Sequence, residues 1–413
     1  MSAVLEAIKS AAVQGDIPRF VTLIFEYAVS VGASDIHIEP KSSVISVRLR
    51  TDGVLKVIVQ YSPSLHSGVV SKLKIMSNLK IDEQRIPQDG RLSTRLAHGE
   101  IDLRVSTFPT ANGEKVVMRI VDKSKEIPQI KELGLEGYNQ RVIEAAIDKP
   151  VGILLTSGPT GSGKTTTLYA CLHRLNKDDV NIVTVEDPIE IQIDGLNQSQ
   201  IQPNIGYTFA GGFRSILRQD PDIIMVGEIR DQETLSVAIE ASLTGHLVLS
   251  TIHTNSAAQT VTRMLDMGEK AFLIAATVNA IIAQRLVRTI CMDCRVAVNP
   301  TPEQFEEIRK VLSTVSPQEM SERLPPDIVK NVKLAVGKGC EKCDGTGYRG
   351  RVGIYEILVV DEEIKQLILN QATGTAIEQA AIRKGMVSLV ADGLLKALEG
   401  RTTVEEVFRV AMG

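Results

Sequence analysis

Residues 158 to 165 read Gly158-Pro159-Thr160-Gly161-Ser162-Gly163-Lys164-Thr165, with Thr166 next. The spacing Gly158-x4-Gly163-Lys164-Thr165 is that of a phosphate-binding loop. Its flanks fit this reading. Val151-Gly-Ile-Leu-Leu-Thr-Ser157 is a short apolar run that predicts a buried strand, and Thr165-Thr-Thr-Leu-Tyr-Ala170 opens a helix. Glycines let the backbone curl until several N–H groups converge on one phosphate cluster, and the helix N-terminus adds positive potential there. In such a loop Lys164 reaches the β- and γ-phosphates, and the Thr165 hydroxyl suits Mg²⁺. The stretch implies a bound nucleoside triphosphate, with ATP the expected one.

Outward from the loop, strands are expected at 151–157, 180–186, 222–227 and 246–252, alternating with helices. That alternation around a phosphate loop implies an α/β fold, a mainly parallel sheet covered by helices, with ligands at the strands' carboxyl ends. Before this core lies a smaller α+β domain. It is expected to begin with helix over 1–31 and to continue with short strands, a hairpin turn at Thr51-Asp52-Gly53, a helix around 66–79, and strands at 91–96, 101–108 and 115–121. The charged, proline-interrupted stretch from Asp122 reads as a linker. The expected division is a first domain over 1–121, a hinge linker at 122–130, and a core over 131–413 with a mostly helical tail from 361.

Hydrolysis needs a metal site, a carboxylate to orient water, and positive charge at the γ-phosphate. Thr184-Val-Glu186-Asp187-Pro188-Ile-Glu190 gathers three carboxylates where Pro188 stops a strand. Any one of them could polarise water or hold Mg²⁺. Asp222-Ile-Ile-Met-Val-Gly-Glu228 is an apolar run ending in an acid, which makes Glu228 a second candidate; Arg230 and Asp231 read as local caps and pairs. His246 and His253 bracket the fourth strand. His253, at the carboxyl end, could sense the γ-phosphate or couple it to a subunit interface. Arg85, Arg91, Arg95, Arg104 and Arg119 crowd the first domain, and Arg214 and Arg218 are rival sources of a phosphate-contacting guanidinium.

Four of the five cysteines form the pairs Cys291-x2-Cys294 and Cys340-x2-Cys343, in turn-rich sequence. Two such knuckles supply four thiolates for a closed, tetrahedral structural Zn²⁺ site, in a subdomain over about 288–350. The intervening 45 residues must loop out and return. Cys171 reads as a small core residue. Net charge is −4, so bulk charge predicts no binding to nucleic acid or membranes. No apolar run approaches the ~20 residues that span a bilayer, and the first residues carry no signal-peptide core. A cytoplasmic protein is expected.

These residues together resemble the ATPases that drive type II secretion and type IV pilus assembly. The match runs from about residue 20 to the end. It rests on Ala33-Ser-Asp-Ile-His-Ile-Glu39, on Gln88-Asp-Gly-Arg91 through Arg104-Val-Ser-Thr107, and on the phosphate loop. Glu186–Glu190, Asp222–Asp231 and Thr244–His253 complete it, and the cysteine pairs resemble the zinc insertion of the secretion and pilus-extension branch. The resemblance implies a RecA-like core preceded by a PAS-like first domain, in a homohexameric ring, with ATP between the two domains of a subunit and first-domain arginines, Arg91 and Arg104 among them, closing over the phosphates. By motif position Glu190 is the catalytic carboxylate and Glu228 the metal-side acid. Hydrolysis would swing the first domain about 122–130 and move an integral-membrane platform protein at the cytoplasmic face of the bacterial inner membrane. Membrane association would then be peripheral, through partners, with no direct nucleic acid. Pilus retraction and DNA translocation in conjugation are the alternatives within the superfamily. Members of the branch usually carry a further N-terminal domain; here at most a short helix precedes the resemblance, so docking through such a domain carries no expectation.

Overall fold

The computed structural model describes residues 2–97, 99–121, 126–326, 328 and 332–411. It divides into two units, Met1–Glu126 and Ile127–Gly413. Residues 122–125 of the expected linker, and 412–413 of the expected tail, lie outside the described residues.

The first unit opens with the expected helical stretch, divided into α1 (Ser2–Gln14) and α2 (Ile17–Ser30). Gly15 adopts φ 72°, and the Asp16 carboxylate caps α2 by accepting the Arg19 N–H at 3.1 Å. Six strands follow: β1 (Asp35–Pro40), β2 (Ile45–Thr51), β3 (Val54–Tyr61), β4 (Gln88–Leu96), β5 (Gly99–Thr110) and β6 (Gly113–Val121), with α3 (His66–Met76) between β3 and β4. The sheet order is β3-β2-β1-β6-β5-β4. Alternate side chains pack inward, among them Ile36, Ile38, Val47, Leu49, Leu103, Val105, Val116 and Met118, against Phe20, Ile24, Phe25, Val69 and Leu73 of the helices.

The second unit carries α4 (Gly137–Ile147), β7 (Gly152–Ser157), α5 (Lys164–Leu175), β8 (Ile182–Glu186), β9 (Asn197–Gln200), α6 (Phe209–Ile216), β10 (Ile223–Val226), α7 (Gln232–Leu243) and β11 (Leu247–Ile252). Next come α8 (Ala257–Asp266), α9 (Ala271–Thr277) and β12 (Val278–Ile290). Then β13 (Arg295–Val298), α10 (Pro302–Leu312), α11 (Pro317–Arg323), β14 (Leu334–Gly337) and β15 (Tyr348–Val359) lead to the tail helices α12 (Glu362–Leu369), α13 (Gly374–Arg383), α14 (Leu389–Leu398) and α15 (Val404–Ala411).

Among the described residues the core sheet runs β15-β12-β7-β11-β10-β8-β9. Its pairs are parallel except β12 with β15. The central strands β7, β10 and β11 are buried along their whole length, as a sheet covered on both faces requires. Their side chains alternate between two cores. Ile153, Leu155, Ile224, Val226 and Val248 pack on the face of α7, α8 and α13, whereas Leu154, Met225, Leu247 and Leu249 pack on the face of α4 and α5. The four strands expected from the apolar runs are all present. Two features had no such signal. β9 is polar (Asn197-Gln-Ser-Gln200) and pairs only at the sheet's edge, and β12 carries Asn279, Gln284, Arg285 and Arg288 among its apolar residues.

Candidate active site

Because β7, β11, β10 and β8 are parallel neighbours, their carboxyl ends form one edge. Along it stand the 158–163 loop after β7, His253 after β11, Glu228 after β10, and Glu186–Glu190 after β8. The loop is tight. Gly158 has φ 144°, and a Cβ there would lie 2.6 Å from both the Gln284 carbonyl oxygen and the Ser162 hydroxyl. Gly163 caps α5 at φ 88°. Lys164 begins α5, is 9% exposed, and donates from Nζ to the carbonyls of Gly158 at 2.8 Å and Pro159 at 3.1 Å. Burial pushes its pKa below the ordinary lysine value, and Arg285 adds to this; Glu228 and Glu190 pull the other way. Both carboxylates therefore act on this ammonium. The buried Ser162 hydroxyl has no partner among the described residues, in a loop whose donors a polyphosphate would engage.

The three carboxylates after β8 separate in the fold. Glu186 is 2% exposed and accepts from Thr184 Oγ1 at 2.6 Å, Gln198 Nε2 at 3.1 Å and the Tyr169 hydroxyl. Burial raises its pKa, and those three donors oppose the rise. Three donors and burial tie this carboxylate to its neighbours, so it holds structure. Glu190 is exposed, and its N–H donates to the Tyr169 hydroxyl at 3.2 Å. Tyr169 thus links the buried acid to the backbone of the open one.

Glu228 is held by its neighbours. Thr251 Oγ1 donates to the Gly227 carbonyl at 2.9 Å, and the Ile229 N–H donates to the Thr251 carbonyl at 2.8 Å. That turn presents the Glu228 carboxylate, 13% exposed, to His253 Nε2 at 3.3 Å and to the Arg230 guanidinium. Asp231 caps α7, accepting the Thr234 N–H at 2.8 Å. The two histidines part company. His246 lies at the amino end of β11, with Nδ1 2.8 Å from the Ala241 carbonyl, and closes the end of α7. His253 lies at the carboxyl edge and lines a groove with Gly158, Pro159, Asn255, Gln259 and Arg263. Arg218 donates to the Arg214 carbonyl at 3.0 Å and to Ser215 Oγ at 3.3 Å, at the end of its own helix, and Arg214 pairs with Glu233 at 2.7 Å.

In the first unit, the strand register sets Arg50, Asp35, Arg119, Arg104 and Arg91 in one row across β2, β1, β6, β5 and β4. Directly opposed residues share a face, here the one without the apolar core. Asp35 is the one acid of the row and is 3.0 Å from Arg119 Nε. Arg91, Arg104 and Arg119 line a depression with Asp89, Gly90 and Ser106. Arg85 pairs with Glu83 in a loop, and Arg95 stands opposite Glu100.

The cysteines meet where the long β12/β15 hairpin passes into the short β13/β14 pair. Ile290 pairs with Tyr348 in one ladder and Arg295 with Gly337 in the other, which closes the 45-residue excursion. The four Sγ atoms lie within 4.8 Å of one another. Cys291 to Cys340 and Cys294 to Cys343 are 3.8 Å apart, and Cys340 to Cys343 is 3.7 Å. A Zn–S bond of about 2.3 Å places tetrahedral sulfurs about 3.8 Å apart. The Cys340 and Gly347 N–H groups donate to Cys343 Sγ at 3.2 and 3.3 Å. Burial pushes that thiol up, but these donors, together with the side chains of Cys340 and Cys294, outweigh it and bring it down to about 6. The donor set fits Zn²⁺. Cys171 is buried in the core beside α5, as expected of a small apolar residue.

Two residues of this site carried no sequence signal. Gln284 Nε2 donates to the Ser162 carbonyl at 2.8 Å, and Arg285 Nη2 donates to the Asn255 carbonyl at 2.9 Å. Only the position of β12 beside β7 brings them there.

The family model for "Type II/IV secretion system protein" matches residues 10–409. Type II secretion system protein E of Aeromonas hydrophila is 48% identical over 394 residues, which is 95% of this chain and 75% of that protein. The type IV pilus assembly ATPase PilB of Thermus thermophilus is 47% identical over 404 residues, 98% of this chain and 43% of its own length. Among solved structures, the Legionella pneumophila ATPase DotB superposes with TM-score 0.66 at 24% identity, covering 94% of both chains. The pilus retraction motor PilT with bound ADP superposes with TM-score 0.59 at 25% identity, covering 94% of this chain and 95% of that one.

Proposed function

The chain belongs to the type II/IV secretion system protein family and is an ATPase, and from that premise we propose that it hydrolyses ATP to drive protein export by type II secretion or assembly of a type IV pilus. The observation that carries the reading is the edge of the core sheet, where Lys164, Glu190, Glu228 and His253 stand at the ends of adjoining strands. There the loop N–H groups and Lys164 bind the β- and γ-phosphates, and Glu190, open to solvent, orients the attacking water and takes its proton. Glu228 and Thr165 supply oxygen donors of the kind that Mg²⁺ takes. When bound, that ion offsets phosphate charge. His253, touching Glu228, reports the state of the γ-phosphate to the loop that follows β11. Arg91 and Arg104, in a row of four arginines, supply guanidinium charge to the phosphates, and Arg218 is a second source. Four thiolates hold one structural Zn²⁺.

The working form is a homohexamer acting on an integral-membrane platform protein. No helix among the described residues is long and apolar enough to cross a membrane, which suits a cytoplasmic enzyme that meets the bilayer through that partner. The two cysteine pairs favour export or extension over retraction or DNA translocation. Deleting the gene and assaying both outputs decides between the two machines. Loss of secreted proteins with pili intact identifies secretion, and loss of pili identifies assembly. If both persist and the purified protein splits no ATP, the reading fails.

A further inference from the structure

β12 lies beside β7, and two consecutive residues on it leave the strand on opposite faces. Gln284, 1% exposed, points to the α5 side and donates to the Ser162 carbonyl of the phosphate loop at 2.8 Å. Arg285, 5% exposed, points to the α8 side and reaches the loop that follows β11. Its Nη2 is 2.9 Å from the Asn255 carbonyl and 3.4 Å from Asn255 Oδ1, while Nη1 donates to the Gln284 carbonyl at 3.1 Å. The same guanidinium crowds the start of the phosphate loop, because a Cβ at Gly158 would lie 3.2 Å from Nη1. Arg285 therefore spans the interval between Gly158 and the loop that carries His253.

The surroundings keep it there. Glu356 on β15 pairs in register with Ala283, two residues from Arg285 on the same face, so its carboxylate stands diagonal to the guanidinium. Glu356 is 2% exposed and accepts the Ala257 N–H, the first of α8, at 3.0 Å. Thr254 is tied to Thr260 by a 2.7 Å hydroxyl contact. His253 is thus the exposed tip of a loop whose next turns rest on β12 and β15. A buried guanidinium is costly to desolvate, and a planar fork that meets two carbonyls cannot be reproduced by an ammonium.

We propose that Gln284 and Arg285 are a pair of positioning residues with separate duties: Gln284 holds the phosphate loop and so sets nucleotide affinity, and Arg285 holds the His253 loop in register with that loop and so sets turnover. The inference rests on the reading of His253 as a phosphate-side residue. It explains why two consecutive buried polar side chains lie in the middle of β12, between the apolar Ile281-Ile282-Ala283 and Leu286-Val287.

The test measures the ADP dissociation constant by calorimetry and kcat by phosphate release, on assembled, zinc-replete protein. Gln284→Met should raise the dissociation constant about tenfold. Arg285→Lys should leave that constant within about twofold and lower kcat about 10- to 100-fold. In a His253→Ala background the same Arg285→Lys change should cost less than about threefold, since residues acting as a unit are not additive. An equal cost in both backgrounds, no cost in either, or a parallel rise in the dissociation constant overturns the inference. If Arg285→Lys does not fold, Asn255→Ala takes its place. About threefold lower kcat at unchanged affinity supports the inference, and unchanged kcat overturns it. Wild-type protein without turnover overturns the ATPase reading and this inference together; wild-type turnover with an indifferent Arg285 variant overturns this inference alone.

Discussion

Glu228 and His253 end two adjoining parallel strands and meet at the sheet's carboxyl edge, Oε2 to Nε2, at 3.3 Å. The contact exists because the Gly227–Ile229 turn is hydrogen-bonded to Thr251, two residues before the histidine. A change in charge at one of the pair is felt by the other. His253→Ala and Glu228→Gln should each lower kcat by about 10²-fold while nucleotide affinity changes less than about fivefold. Their double variant should cost no more than the worse single one. Steady-state hydrolysis with parallel binding measurements checks this, and additive losses would show that the two act independently.

The two glutamates after β8 should behave differently. Glu190→Gln should bind ATP and hydrolyse it about 10²-fold more slowly, as removal of a general base does. Glu186→Gln should reduce hydrolysis by less than about tenfold, because that side chain is tied to Thr184, Tyr169 and Gln198. Stopped-flow phosphate release separates the two variants. Equal losses would place Glu186 in the chemistry.

Metal analysis of purified protein should return one zinc per chain, since four thiolates fill one tetrahedral site. Cys294→Ser or Cys340→Ser should lose the metal and lower the thermal midpoint. A strong chelator should do the same to the wild type, because metal binding is linked to folding. Zinc-free protein with an unchanged midpoint would refute the site.

Glu356 makes stability depend on pH. Burial pushes its carboxyl from 4.5 up to about 7, against the Ala257 N–H and Arg285. A folded-state pKa above the unfolded one means the contribution is fully present below about pH 4.5 and is lost as pH rises through about 7. That interval corresponds to at most about 3 kcal/mol. Relative to Glu356→Gln, the wild type should therefore lose stability between pH 5 and pH 8. Urea midpoints across that range test it, and a constant difference would disprove it.

The excursion between the two cysteine pairs is tied to the core through a buried ion cluster. Arg323, 3% exposed at the end of α11, lies 2.6 Å from Asp392, 2.7 Å from Glu399 and 3.3 Å from Glu136. Asp392 in turn meets Lys396 at 2.5 Å and accepts the Tyr355 N–H at 2.8 Å. Removing one partner strands buried charge, so Arg323→Met should cost about 3–5 kcal/mol. Equilibrium denaturation provides the measurement. A cost under about 1 kcal/mol would mean the cluster relaxes.

Much of this site is readable without coordinates because its signals are local. A phosphate loop is eight consecutive residues between an apolar strand and a helix, and each cysteine pair is a short turn. The acids and the histidine announce themselves by ending apolar runs. The helical character of 1–31 is legible in its apolar pattern, whereas the break at Gly15 and Asp16 leaves that pattern intact and shows only in the backbone. β9 escaped notice because an edge strand of polar residues has no period to detect.

The amino-acid order alone determined the nucleotide loop, the family of the chain, the parallel core and the identity of the four clustered cysteines, since each is written in neighbouring residues or in the period of burial. Only the tertiary structure decided that Glu186 is bound up while Glu190 is open, that His246 meets the Ala241 carbonyl while His253 meets Glu228, that four arginines from four strands share one row, and that Gln284 and Arg285 reach the site at all. These depend on which strands pair and in what register. Register is settled by the packing of both faces of a sheet at once, a condition that no single segment of the chain carries.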